Sequence, residues 1–160
     1  MTVIQSGFEA RGRRFAVVAS RFNDVVVEKL VDGATACLRK HGITEEDLVL
    51  VWVPGAFELP LVAERMASSG GYDAVICLGA VIRGETAHFD YVAGECARGI
   101  REASARTGVP VLFGVLTTEN FEQAMDRAGG RHGNKGWDAA MAAMETADVL
   151  ERLPKPEQGG

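Results

Sequence analysis

The segment GAVIRGETAHFD (Gly79–Asp90) gathers residues that could bind an anion and move a proton. Gly79, Gly84 and the following Thr86 approach the phosphate-binding P-loop pattern, but Glu85 stands where that pattern needs Lys. The exchange removes a cation and adds a carboxylate. Such a loop can still hold an anion through its backbone. Gly84 permits close approach, and the N–H groups of Gly84, Glu85 and Thr86 run into a helical pattern that starts near Phe89. Unpaired donors and the helix dipole attract negative charge there. Thr86 adds a hydroxyl, and the Glu85 side chain must then point away. A plain turn at Gly84, with Thr86 as a helix cap, reads equally well. His88 follows at once. Imidazole is the side chain that ordinarily titrates nearest neutrality, so His88 is the candidate for proton transfer. His41 closes a helix, where a cation suits the dipole. His132 lies in the polar run GGRHGNKG and reads as solvated.

The elements that must position these residues are legible from hydrophobic pattern. Four apolar, β-branched runs are continuous rather than alternating: Arg14–Ser20, Leu48–Val53, Ala74–Val81 and Val109–Leu116. Parallel strands covered on both faces read this way. Helical spacing fills the intervals. Asn23 can cap a helix with Val26, Val27, Leu30, Val31, Ala34 and Leu38 on one face, ended by Gly42. Further helices read over Phe57–Gly71, with Pro60 in the first turn, over Phe89–Gly108, over Asn120–Gly130, and from Asn134 to Leu153. In the last of these Trp137, Ala140, Met141 and Met144 form a core stripe. Strict alternation predicts an α/β fold of three layers, α-β-α, around a four-stranded parallel sheet with right-handed crossovers. Residues 1–153 read as one domain. Residues 1–8 could add a short edge strand, and the Pro/Gly-rich residues 154–160 read as a disordered tail.

Ligands of open α/β sheets bind beyond the carboxyl ends of the strands. The loops there are SRFND, PGAFELP, IRGETAHFD and TTEN. SRFND is not the Ser/Thr/Gly-rich loop that wraps the FMN phosphate in flavodoxins. An acidic pair after the first strand, as receiver domains need, is also missing. Phe22 can stack on a planar ligand or staple the first helix. From position alone, Arg127 and Lys135 read as solvated surface charges.

Composition excludes other classes. At 47% hydrophobic residues the 160-residue chain can bury a core and lacks the signature of disorder. No apolar run approaches a membrane span, and no apolar leader with a cleavage site opens the chain, so a cytoplasmic protein is expected. A net charge of −5 argues against nucleic acid. Cys37, Cys77 and Cys96 are scattered, without a CxxC pair, and read as reduced, buried thiols.

Six fragments, ASRFN, VPGAFELP, LGAVIRGETAHFDYV, FGVLTTEN, EQAMDRAG and GNKGWDAA, together resemble the 6,7-dimethyl-8-ribityllumazine synthase family in order and spacing, over about residues 11–150. The resemblance implies a flavodoxin-like winding, an N-terminal strand added to the neighbouring subunit's sheet, and pentamers with active sites between adjacent subunits. It implies condensation of 5-amino-6-(D-ribitylamino)uracil with 3,4-dihydroxy-2-butanone 4-phosphate, releasing phosphate and water, the penultimate step of riboflavin biosynthesis. It implies no metal and no organic cofactor. By the same resemblance Phe22 stacks on the pyrimidine, and Ala56, Phe57 and Glu58 contact the ribityl chain. Ala80, Val81 and Ile82 offer main-chain contacts to the pyrimidine edge, and Phe113 of an adjacent subunit packs on the pyrimidine side. Gly84, Glu85 and Thr86 hold the phosphate, Arg127 of the neighbour supplies its counter-charge, and His88 transfers protons. Lys135 and Asp138 are secondary candidates. Relatives often carry a small residue at Glu85, and some carry Glu at Asp138. The compact GGRHGNKG turn resembles members whose pentamers build icosahedral shells, with riboflavin synthase as a candidate encapsulated partner. A flavin-binding protein or a structural shell subunit on the same fold are the alternative functions.

Overall fold

The computed structural model describes residues 1–158. Four strands, β1 (Phe15–Ser20), β2 (Leu48–Val53), β3 (Ala74–Ile82) and β4 (Val111–Thr118), form one all-parallel sheet in the order β2-β1-β3-β4. Five helices accompany them: α1 (Asp24–Lys40), α2 (Leu59–Ser68), α3 (His88–Thr107), α4 (Phe121–Asp126) and α5 (Lys135–Arg152). Side chains of a strand point alternately to its two faces, and the core divides accordingly. Phe15, Val17 and Ala19 pack with the apolar stripe of α1 and with Ala140, Ala143 and Met144 of α5. Ala16 and Val18 face Leu59, Ala63 and Ala67 of α2 and Cys96, Ile100 and Ala103 of α3. This is the three-layer, flavodoxin-like arrangement expected from the alternation. Trp137 and Met141 pack against the first cluster, as core residues. The winding reverses between β1 and β3: β1 leads outward to β2 and β3 outward to β4. The crevice beyond their carboxyl ends is where such folds bind ligands.

Several elements differ from the sequence reading. Asn23 is not a side-chain cap. Its backbone is left-handed (φ 64°), and its amide Nδ2 instead donates to the Ala80 carbonyl across the crevice at 2.9 Å. The helix over Phe57–Gly71 divides into a tight 3-10 turn at Ala56–Glu58 and then α2. The fourth helix stops at Asp126. Gly129 and Gly133 at positive φ turn the following chain into a short antiparallel ribbon, β5 (Ala128–Gly130) and β6 (Gly133–Asn134). The edge strand β2 is not covered on both faces: Leu50 and Trp52 are 41% and 42% exposed. Residues 1–10 form no strand in the chain's own sheet. The Gly7 N–H donates to Asp148 Oδ2 at 3.0 Å. Beyond α5, residues 154–158 carry no helix or strand, and residues 159–160 of the expected disordered tail lie outside the described part of the chain.

Asn134 explains the local chemistry of GNKG. Its Oδ1 accepts from the Trp137 N–H at 3.1 Å and caps α5, while its Nδ2 donates to the Lys29 carbonyl of α1 at 3.0 Å. His41 closes α1 with Nδ1 2.7 Å from the Cys37 carbonyl oxygen.

Candidate active site

Two adjoining clefts, about 190 Å³ and 530 Å³, open at the carboxyl rim between the loops after β1, β2 and β3. They share Phe22, Ala56, His88 and Val92 and form one groove. Phe22 is carried into it by the chain leaving β1, which is tied to β2 through Arg21 N–H to the Val53 carbonyl at 2.8 Å and Phe22 N–H to the Pro54 carbonyl at 3.0 Å. Its ring is 73% exposed, so it does not act as a hydrophobic staple. One wall is the end of β3. There Ala80 and Val81 are buried and Ile82 half-buried. The other is the turn at Ala56–Glu58, where Phe57 is exposed and Glu58 is the carboxylate facing the larger cleft.

The candidate anion loop, Gly84–Thr86, borders the smaller cleft, where Gly84, Thr86 and His88 are among the lining residues. Arg83 N–H closes the β3–β4 ladder on the Thr118 carbonyl at 2.9 Å. The next donors, on Gly84, Glu85 and Thr86, take no backbone partner among the described residues, and Ala87, which precedes α3, has no side chain that could cap it. The link into α3 therefore presents open N–H groups to the groove, beside the positive end of the helix dipole. The Thr86 hydroxyl accepts weakly from the His88 N–H at 3.4 Å. A Cβ on Gly84 would meet nothing within 4 Å, so the space above the loop is free for a ligand. Glu85 is exposed and lines neither cleft.

The remaining candidates lie apart from this groove. Phe113 stands on the sheet-edge strand β4, 37% exposed. Arg127 follows α4, half-buried, with Nη1 donating to the Gln123 carbonyl at 3.2 Å. Lys135 and Asp138 are exposed in the first turn of α5. No Lys or Arg lines either cleft. Sequence reasoning missed Asn23, which holds the Phe22 loop to β3, and Phe89, Tyr91 and Val92, which join His88 along the first turns of α3. The i, i+3, i+4 spacing of Tyr91 and Val92 from His88 was the available signal.

The thiols take no part. Burial drives Cys37 up to about 11, with the nearby Asp138 charge adding to it and Lys40 opposing, and Cys96 up to about 12. The fully buried Cys77 is raised further still by the same cause. All three are therefore unreactive thiols at neutral pH. Among the described residues, no helix is long and apolar enough to cross a membrane.

A sheet wound outward from β1 and β3, with an exposed aromatic ring, a helix N-terminus and a histidine at the crevice between them, defines a flavodoxin-like α/β protein. The 6,7-dimethyl-8-ribityllumazine synthase profile matches residues 12–151. Two curated proteins of that description, from two strains of Clostridium kluyveri, are each 51% identical over 153 residues, which cover 96% of this chain and 99% of theirs. The chain belongs to the 6,7-dimethyl-8-ribityllumazine synthase family.

Proposed function

We infer that the chain condenses 5-amino-6-(D-ribitylamino)uracil with 3,4-dihydroxy-2-butanone 4-phosphate to 6,7-dimethyl-8-ribityllumazine, releasing phosphate and water, in riboflavin biosynthesis. The observation that carries this reading is the groove itself: Phe22, the β3 backbone, the open α3 N-terminus and His88 meet at one crevice in a chain of this family. The pyrimidine stacks on Phe22, with main-chain contacts from Ala80–Ile82. The ribityl chain runs along Ala56 and Phe57, with Glu58 accepting from its hydroxyls. The phosphate sits on the N–H groups of Gly84–Thr86. The amine adds to the ketone, a Schiff base forms, phosphate leaves and the ring closes. Each step moves protons, and His88 is placed to carry them. Holding two substrates in one groove supplies much of the remainder.

The phosphate still needs a cation, and neither cleft contains one. That deficit supports a site completed by Arg127 and Phe113 of an adjacent copy, with Lys135 and Asp138 as further contributors. The exposed Leu50 and Trp52 on the edge strand, and residues 1–8, which form no strand of their own and leave Val3, Ile4 and Phe8 exposed, support strand exchange between copies. Pentamers assembled into an icosahedral shell, enclosing riboflavin synthase and located in the cytoplasm, are the arrangement we favour. The tight Gly130–Gly133 ribbon turn suits it. Mixing the purified chain with both substrates and following lumazine fluorescence tests the activity. No fluorescence above the uncatalysed rate would refute it.

A further inference from the structure

Arg83 occupies the junction between the sheet and the anion loop. Its N–H ends the β3–β4 ladder, and its side chain then grips two other elements. Nε lies 2.9 Å from Glu119 Oε2, just beyond β4, and Nη2 lies 3.4 Å from Asp90 Oδ1 in the first turn of α3. Its Cζ sits 4.3 Å from the centroid of the Phe89 ring, one residue before Asp90. Glu119 is itself held, its N–H donating to Gln123 Oε1 of α4 at 2.8 Å. The short link Gly84–Ala87 therefore leaves from a residue whose own guanidinium grips the helix turn it enters.

We propose that Arg83 is a positioning residue for the anion loop. It sets the conformation of Gly84–Thr86 and the aim of the α3 N-terminus, and so the place of the bound phosphate, without touching the phosphate. The proposal rests on the reading that this loop holds the substrate's phosphate. Two carboxylates surround one guanidinium, so the group carries no spare positive charge for an anion. An isolated exposed ion pair contributes little, but pairs that share one fork and link separate elements act as a network. The planar fork also stacks on an aromatic face while both edges hold carboxylates, which an ammonium cannot do.

Hydrogen exchange over residues 84–90 and affinity for inorganic phosphate, measured on the assembled full chain, test the clamp apart from turnover. In Arg83→Ala, exchange there should quicken and phosphate binding weaken by roughly fivefold to tenfold, the combined worth of two exposed ion pairs and a ring contact. Arg83→Lys should fall between the variant and the parent, and it carries the test if the Ala variant fails to assemble. The KM for the butanone phosphate should rise by the same factor, while the KM for the pyrimidine changes by less than about twofold. Replacing both acceptors, Asp90→Asn with Glu119→Gln, should weaken phosphate binding even though it removes negative charge. Tighter binding in that double variant would mean that Arg83 acts directly on the anion and would overturn the proposal, as would unchanged exchange in both Arg83 variants. A parent chain that binds phosphate at this loop but forms no lumazine would refute the proposed condensation and leave the clamp standing.

Discussion

In the proposed condensation proton transfer is assigned to His88, because it is the one imidazole among the residues that line the two clefts. It is exposed at the start of α3 and contributes no core packing. His88→Ala should therefore fold and bind both substrates, while kcat falls by up to ~10²–10⁴-fold, the scale of one positioned general acid–base. Steady-state kcat with both substrates, set beside the thermal unfolding of the variant, checks this. A variant that keeps the parent's kcat would remove His88 from the mechanism. This residue, with Phe22 and the Gly84–Thr86 loop, was legible in the sequence because strand-end loops collect at one rim and the types are chemically distinctive. Asn23 was not. A helix-start Asn ordinarily reads as a cap, and only the folded crevice shows its amide reaching Ala80, 57 positions away. The missing cation was legible, because Glu85 stands where a P-loop carries Lys, and the two clefts are indeed lined by no Lys or Arg.

At the scale of elements, the anion loop and its partners are held by two helix layers, and the tightest joint is the crossing of α1 and α5. Gly136, in the first turn of α5, lies so close to α1 that a Cβ would run into the Leu30 carbonyl oxygen. Backbone cannot yield there as a flexible side chain can. Gly136→Ala gains roughly 1 kcal/mol of helix propensity, but overpacking against a fixed backbone costs ~1–3 kcal/mol or more. The second effect wins, so thermal unfolding should move down by several degrees. A rise in melting temperature would show that the helices can separate freely. The four strands and the buried stripe of α1 match the sequence reading to within a residue or two, because hydrophobic pattern and burial have one cause. The 3-10 turn at Ala56–Glu58 and the β5–β6 ribbon were not legible. Each is shorter than the window over which periodicity registers, and each is tied by contacts distant in sequence: the first adjoins a loop hydrogen-bonded to the chain leaving β1, and the second is held through Asn134 to the Lys29 carbonyl of α1. The uncovered face of β2 escaped for another reason, since Leu48–Val53 has the composition of a central strand at an edge position.

At the scale of the molecule, one contact ties the N-terminal segment to α5. Asp148, 14% exposed, accepts from the Gly7 N–H, is paired with Arg13 and Arg152, and shares Arg13 with Glu151. The Gly7 hydrogen bond first, then the Arg152 hydrogen bond, with the Arg152 and Arg13 charges adding less, hold its carboxyl below the ordinary Asp range, while burial opposes them. A lowered folded value means stability fully present above the unfolded value of about 3.9 and lost as pH falls through the folded one. The melting-temperature gap between the parent and Asp148→Asn should therefore be steady from pH 7 to 5 and close below about pH 4. A gap that persists in acid would mean that the carboxylate charge is not what holds the segment. The larger question is whether one molecule suffices. Arg127 and His88 lie in different parts of the chain's surface, and the groove lacks a cation of its own. If the site is completed across an interface, His88→Ala and Arg127→Ala damage different partners of the same site. Each variant alone would have every site impaired. Assembled together in equal amounts, a ring of heterologous contacts places an intact His88 beside an intact Arg127 at about one half times one half, or a quarter, of its interfaces. Co-assembled variants should thus recover roughly a quarter of the parent's activity, while the same variants mixed after separate assembly recover none. If each chain carried its whole site alone, every chain in the mixture would lack one residue or the other, and no recovery would appear under either protocol.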